Sequence, residues 1–374
     1  MALSVAIYTG TRAEYGLLKH LIYELQSDPL IVFKLIVSGT HLSRDHGYTV
    51  SEIYDDQIVQ LELIPLPLSS VEHHSMADLC GISIVEVSKV LERLNTQILI
   101  ILGDRYETFA AASAAHLSGI KVVHIHGGET TSGALDDKLR HAITQLSTWH
   151  FPSAEPYRQR VIQMGHDPSH VFNIGPMVFD ALLKSPSTTR QEFQYSTGFV
   201  FGLQNLLVTY HPETLLADYG ISGFEMLLQA LKKFDVNILF TYPNADAGSE
   251  KLIDLLNNFV SSNPSHCWSI PSLGHELYIS ALKLFDAVVG NSSSGVIEAP
   301  LVGIPVLNLG ERQRGRHRFG SVIDVPLSQP LIEKELRNVL SSSSAYNRPN
   351  RVFFGHCNSP SYQIMSWLRT LKNV

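Results

Sequence analysis

Cysteine is scarce in this chain. Three among 374 residues (Cys80, Cys267, Cys357) are odd in number, far apart and without metal-ligand spacing. That argues against a disulfide scaffold or a zinc-thiolate site and for free thiols in a reducing compartment. Charge is sparse too, with Asp, Glu, Lys and Arg making up 17% of residues, and the formal net charge is −7. Without an extended Lys/Arg-rich run, the chain lacks the electrostatic footprint of a nucleic-acid binder. No apolar stretch approaches the ~18–20 residues of a membrane span. The first residues, MALSVAIYTG, carry no basic leader or cleavage site and enter an apolar strand pattern at once. A cytoplasmic α/β protein with no nucleic-acid or membrane partner is the expectation. Its length suits two domains of about 180 residues better than one.

What is present is strand after strand ending in polar groups. Ile98–Leu102 and Lys121–Ile125 are short, β-branched and bounded by breakers, the signature of buried parallel strands. The first runs into Gly103-Asp104-Arg105, the second into His126-Gly127-Gly128-Glu129. The helix predicted over Asp136–Ser147 opens with Asp136-Asp137 and carries Arg140 and His141. Ligands of open α/β sheets bind beyond the carboxyl ends of the strands, so the chemistry is expected here.

Around this centre, strands are predicted at Ser4–Tyr8, Ile31–Val37, Leu61–Ile64, Trp149–Pro152 and Val171–Ile174. Residues 1–184 then form an N-terminal doubly wound domain. The polar stretch 185–196 (SPSTTRQEFQYS) reads as the connection, and residues 197–355 repeat the pattern with strands at Asn205–Thr209, Val236–Thr241, Trp268–Ile270, Ala287–Val289 and Pro305–Leu309. Residues 356–374 hold a terminal helix (Tyr362–Leu371) with an apolar face and no domain of its own to cap, expected to pack back across the junction. If the polar edges of the two domains face each other, the cleft between them is the site.

Several motifs carry chemistry. Gly10-Thr11-Arg12 through Gly16, read as a loop between the first strand and a helix, suits a phosphate held by backbone N–H groups and a guanidinium; a tight turn with a solvated arginine remains open. GNSSSG (290–295) offers hydroxyls and free N–H groups at a helix start, an anion nest to which Arg312 can add charge. It is one residue too long for a G-x-S-x-G nucleophile elbow. His124 and His126 share a face on a regular strand, as a metal would need, but no further ligand pair with metal spacing accompanies them. His211, in the polar context HPET, reads as functional rather than core.

GTRAEYG, LGDRYE, HIHGGE with DDKLRHAITQL, HPET, YPNADAGS, GNSSSGVIE and NLGERQ-GR occur in one order across nearly the whole chain. Together they resemble the hydrolysing UDP-N-acetylglucosamine 2-epimerases of bacterial sialic acid synthesis, and the N-terminal half of the bifunctional animal epimerase/kinase. The resemblance implies two Rossmann-like domains arranged as in glycosyltransferase-B enzymes, with UDP held mainly by the second, no cofactor and no metal, and a homo-oligomer (dimer or tetramer). It implies UDP-sugar contacts at Arg12, Gly16, Arg105, His211, Asn244 and Ser272, and at Ser292, Ser293, Gly295, Glu298 and Arg312. It implies chemistry at Asp104, Glu129, Asp136, Asp137, Arg140 and His211. His126 stands where the wider family has a glutamate thought catalytic, so it joins the catalytic candidates. Leu17 stands where non-hydrolysing relatives carry a lysine, with Lys19 two residues on.

The reaction so implied is elimination of UDP from C1 with loss of the C2 proton, followed by addition of water to the glycal to give N-acetylmannosamine. Asp104 is expected at the C2 proton and Asp136 at the water. Competing readings are a UDP-N,N'-diacetylbacillosamine hydrolysing epimerase, a non-hydrolysing epimerase, a glycosyltransferase, and a nucleotide-sugar sensor without turnover. Tyr15, Tyr106, Met177 and the pair His73-His74 are candidates for reading the sugar.

Overall fold

The computed structural model describes residues 2–44, 48–68, 75–130, 135–184, 188–213, 216–243, 248–318, 321–341 and 359–371. The chain divides into two compact units, Met1–Leu183 with Phe354–Val374, and Lys184–Phe353.

The first unit is built on six parallel strands: β1 (Leu3–Thr9), β2 (Ile31–Val37), β3 (Leu61–Leu63), β4 (Ile98–Leu102), β5 (Lys121–Ile125) and β6 (Trp149–Phe151). They lie in the order β3-β2-β1-β4-β5-β6. Strands β4 and β5 are apolar almost throughout because helices cover both faces of a parallel sheet. The connections run outward from β1 in one direction and from β4 in the other, so β1 and β4 flank the switch point. Leu102 pairs with Ile125, which sets Gly103-Asp104 level with His126-Gly127.

The second unit repeats this plan with β7 (Asn205–Thr209), β8 (Asn237–Thr241), β9 (Cys267–Ile270), β10 (Ala287–Gly290), β11 (Val306–Leu309) and β12 (Val322–Val325). Their order is β12-β11-β10-β7-β8-β9, and here the switch point falls between β7 and β10. Thr209 pairs with Gly290, so His211 and Asn291 emerge side by side. Gly290 has φ +139°, and a Cβ there would lie 1.9 Å from Thr209 O. Only glycine permits this approach.

The structure departs from the sequence reading in several places. The stretch Arg12–Gly16 is helix, not loop. The helix Arg12–Ser27 begins at Arg12, with Thr11 and Glu14 forming a reciprocal capping box. Gly16 lies inside it, where an added Cβ meets nothing within 4 Å. Val171–Ile174 makes no strand, only a single bridge from Val171 to His150. Phe172 N and Ile174 N do bond to His150 O and Pro152 O, but Pro152 has no N–H to return a bond, and Arg158 takes the Val171 carbonyl. Within the stretch read as connection, Arg190–Thr197 forms a capped helix whose Phe193 is fully buried against Phe201 and Phe285.

The last helix, Pro360–Thr370, completes the core of the first unit. Ile364, Met365 and Leu368 join the hydrophobic cluster of β1 and the helix Arg12–Ser27. Trp367 meets Trp149 and Phe151 at ring distances of 5.0 and 5.1 Å. Asp180 accepts bonds from the Ser361 N–H and from the hydroxyls of Ser359 and Ser361. Among the described residues, no helix is long and apolar enough to cross a membrane.

Candidate functional site

At the ends of β4 and β5 the hub is Arg140. Its side chain is 7% exposed and bridges three acceptors: the carboxylate of Asp104, Glu129 Oε2 at 3.2 Å, and the His126 carbonyl at 3.2 Å. A guanidinium has the fixed fork of donors that such a bridge requires. Glu129 also accepts the Ser153 hydroxyl at 2.6 Å. Asp136 sits on the exposed side of the first turn of the helix Leu135–Leu146. Its carboxyl is pushed above the usual range, first by burial and then by the Asp104 charge, while Arg105 and Arg140 oppose the shift. Asp137 stands apart, with His141 Nε2 at 3.9 Å.

The two histidines of HIH take different roles. His124 is a core residue. It is fully buried, bonds to Gly103 O at 2.8 Å through Nε2, and is held neutral by burial, with its pKa lowered to about 3. His126 lies just beyond β5 with φ +64°, so the two rings do not share the strand face expected from the spacing. Its Nε2 accepts the Met177 N–H at 3.1 Å, which leaves the proton of the neutral ring on Nδ1, 3.7 Å from Glu129 Oε1. Burial lowers its pKa as well. In this arrangement the free lone pair of the neutral ring is taken by a backbone donor, which ties His126 to Met177. Among the described residues, no group of three or more His, Cys, Asp or Glu is placed to hold a metal.

Across the switch point, Arg12 pairs with Glu52 at 3.1 Å in an exposed ion pair. Arg105 stands at the N-cap position of the helix Tyr106–Leu117 and is gripped by the buried Glu107, Nε to Oε2 at 3.2 Å and Nη2 to Oε1 at 3.1 Å. Tyr15 donates its hydroxyl to Asp56 at 2.7 Å and Lys19 pairs with the same carboxylate at 2.7 Å. Tyr15 and Met177 are almost fully buried, so neither is available to read a sugar.

In the second unit, Asn291 is fully buried and holds His211 by its backbone. Oδ1 accepts His211 N–H at 2.7 Å and Nδ2 donates to His211 O at 2.9 Å. Arg312 and Gln313 both donate to Asn291 O, at 3.1 and 2.9 Å. Ser292 caps the short helix Ser293–Ile297, bringing Ser293 and Gly295 to the strand end. Glu298 accepts the Ser294 hydroxyl at 2.6 Å. Ser272 accepts from Gly274 N at 3.1 Å in an exposed turn. Asn244, His73 and His74 lie outside the described residues.

Thus the first unit gathers Asp104, Glu129, Asp136, Arg140 and Arg105, and the second gathers His211, Ser292, Ser293 and Arg312. Sequence reasoning overlooked Glu14, Glu107, Ser153, Asn291 and Gln313 as contributors. Glu14 was readable as the fourth residue of a Thr-x-x-Glu capping box; Ser153 carries no local signal.

Comparison with known proteins gives the family and the fold. The sequence profile of a family described as UDP-N-acetylglucosamine 2-epimerase matches residues 23–369. A UDP-N,N'-diacetylbacillosamine 2-epimerase (hydrolyzing) from Legionella pneumophila is 34% identical over 357 residues, 96% of this chain and 92% of that protein. The polysialic acid biosynthesis protein P7 of Escherichia coli is 33% identical, covering 92% of this chain and 90% of that one. The crystal structure of UDP-GlcNAc 2-epimerase from Neisseria meningitidis bound to UDP-GlcNAc has the same fold, with a TM-score of 0.79 at 20% identity over 98% of this chain and 100% of that chain.

Proposed function

The chain belongs to the hydrolysing UDP-N-acetylglucosamine 2-epimerase family, and from that premise we propose that it converts UDP-N-acetylglucosamine and water to N-acetylmannosamine and UDP, for sialic acid synthesis in the cytoplasm. The observation that carries this reading is the Arg140 bridge between Asp104 and Glu129, with Asp136 alongside. It sets two kinds of carboxylate at one strand edge: Asp104 held in place by a guanidinium, and Asp136 with a raised proton affinity and access to water.

In the first step Asp104 takes the C2 proton, the C1–O bond breaks, and its electron pair leaves with UDP as C1=C2 forms. Positive charge develops near C1 in such a transition state, and fixed carboxylates stabilise it. In the second step Asp136 directs water to C1 and accepts one of its protons while C2 takes a proton from solvent on the opposite face, and Asp104 and Asp136 then release their protons to water. The second unit supplies the groups for the leaving nucleotide: Ser292, Ser293 and the helix start for the diphosphate, Arg312 and His211 for its growing charge, and Glu298 for the ribose hydroxyls.

The 2,4-diacetamido substrate is the second reading, favoured by the name of the relative from Legionella pneumophila. One experiment separates the two. The full chain is incubated in deuterated water with UDP-N-acetylglucosamine and, separately, with UDP-N,N'-diacetylbacillosamine, and followed by NMR. Release of UDP with N-acetylmannosamine deuterated at C2 is the expected result. Turnover of the diacetamido sugar alone selects the second reading, and an epimer mixture still bound to UDP overturns hydrolysis. Asp104→Asn should lose at least about 10²-fold in turnover; activity within a few-fold of the parent removes Asp104 from the C2 step.

A further inference from the structure

We infer that Glu107, which has no part in the reaction as described, is a positioning residue that grips Arg105 and holds its guanidinium at the end of β4 for the sake of Asp136. The inference rests on the proposed function only for its kinetic consequence.

The geometry is that of an acid buried to fix a base. The Glu107 side chain is 1% exposed, whereas that of Arg105 is 43% exposed. A lone buried carboxylate is too costly to keep, so its charge implies a partner. Two parallel N–H···O bonds to one guanidinium fix direction as well as distance. The anchorage goes deeper. Glu14, also buried, accepts Gly10 N–H at 2.7 Å and Thr11 N–H at 3.2 Å with one oxygen, and the Thr108 hydroxyl at 3.2 Å with the other. The first turn of the helix Tyr106–Leu117 is thereby tied to the end of β1. An added Cβ at Gly10 would lie 3.3 Å from Glu107 Cβ, so Glu107 fills the switch point itself. Arg105, at the N-cap position of that helix, therefore projects from an anchored backbone.

Four charges act on Asp136: Asp104 and Glu107 raise its proton affinity, Arg105 and Arg140 lower it, and the Arg105 influence exceeds that of Glu107. Arg140 is already bonded to Asp104 and Glu129. Arg105 is therefore the cation whose placement sets how readily Asp136 gives up its proton, and Glu107 sets that placement.

The sign of one titration tests this. Losing the Glu107 charge alone, with Arg105 still in place, would lower the Asp136 midpoint, because Glu107 raises it. Releasing Arg105 would raise it. The Asp136 carboxyl carbon, assigned with Asp136→Asn, is titrated by NMR in the full-length parent and in Glu107→Gln, Glu107→Asp and Arg105→Gln. The midpoint should move up in all three, and the Glu107→Gln/Arg105→Gln double variant should not exceed Arg105→Gln. Glu107→Asp keeps the charge but shortens the reach, so it carries the test if Glu107→Gln fails to fold. A midpoint that falls in Glu107→Gln or stays fixed in Glu107→Asp overturns the inference. The titration needs no substrate, so it stands or falls apart from the proposed reaction. Where turnover is measured, kcat/KM should fall about tenfold or more, with the pH-rate limb moving in the same direction as the NMR midpoint.

Discussion

Asn291 closes on the backbone of His211 from both sides, accepting its N–H at 2.7 Å and donating to its C=O at 2.9 Å. One side chain thereby replaces the ladder bonds that β7 and β10 no longer make once Thr209 and Gly290 have ended their pairing. It also ties Arg312 and Gln313 to the same point through its own carbonyl. Asn291→Ala removes both of these bonds from buried backbone groups of His211, which should cost about 2–4 kcal/mol and weaken UDP binding. Urea unfolding and UDP titration check the two effects; a stable variant with unchanged UDP affinity would remove Asn291 from the site.

Arg140 is the residue whose loss should hurt most. Replacing it with Met strands the carboxylates of Asp104 and Glu129 with no guanidinium between them. Breaking a buried pair by removing one partner typically costs about 3–5 kcal/mol. Arg140→Lys should also fall short of the parent in both stability and turnover, because one ammonium cannot reproduce the fork over three acceptors. Full activity in the lysine variant would show that the bridge is not needed.

Glu14 makes stability depend on pH. Burial raises its pKa from 4.5 to about 7, so the folded chain holds a proton that the unfolded chain releases. Its contribution is complete below the unfolded value and is lost as pH rises through the folded one. The parent should lose up to about 1.4 kcal/mol per pH unit across that window from this group. Glu14→Gln removes that dependence while keeping an acceptor for Gly10 N–H. Urea denaturation at about pH 5 and about pH 8 should show the variant gaining on the parent at the higher pH. Parallel behaviour at both would place the carboxyl elsewhere.

His126 should remain neutral and in a single tautomer. Imidazole nitrogen NMR of the labelled chain is expected to show the proton of the neutral ring on Nδ1 and a midpoint below that of an ordinary imidazole, since burial lowers its pKa and Met177 N–H occupies Nε2. An Nε2–H tautomer, or a midpoint at or above the ordinary imidazole value, would overturn this reading of the ring.

The strands were legible because buried parallel strands leave β-branched runs with hard ends, and the acids and arginines that follow those ends mark the carboxyl edge. Asp104, Asp136 and Arg140 could thus be placed near one another from sequence. The bond between Asp104 and Arg140 could not be foreseen, since it depends on how the helix Leu135–Leu146 sits on the sheet. The start of the helix at Arg12 was obscured by Gly10 and Gly16, although Thr11 and Glu14 spelled out its cap. His126 was misread for a local reason: a spacing of two implies a shared face only while the strand continues, and φ +64° ends it. Glu107 was hidden by its company, an acid beside an arginine in a polar motif, where nothing in the sequence says which of them is inside.

The helix Pro360–Thr370 makes the first unit a discontinuous one, its core closed by Ile364, Met365 and Leu368 and by Trp367 on the aromatic side chains of β6. A ribosome delivers chain in order, and domains generally fold as units during synthesis. The first unit therefore waits with an open apolar face through the synthesis of the whole second unit, and is finished after it. Nascent chains halted before residue 360 should carry a folded second unit and a first unit that chaperones still hold.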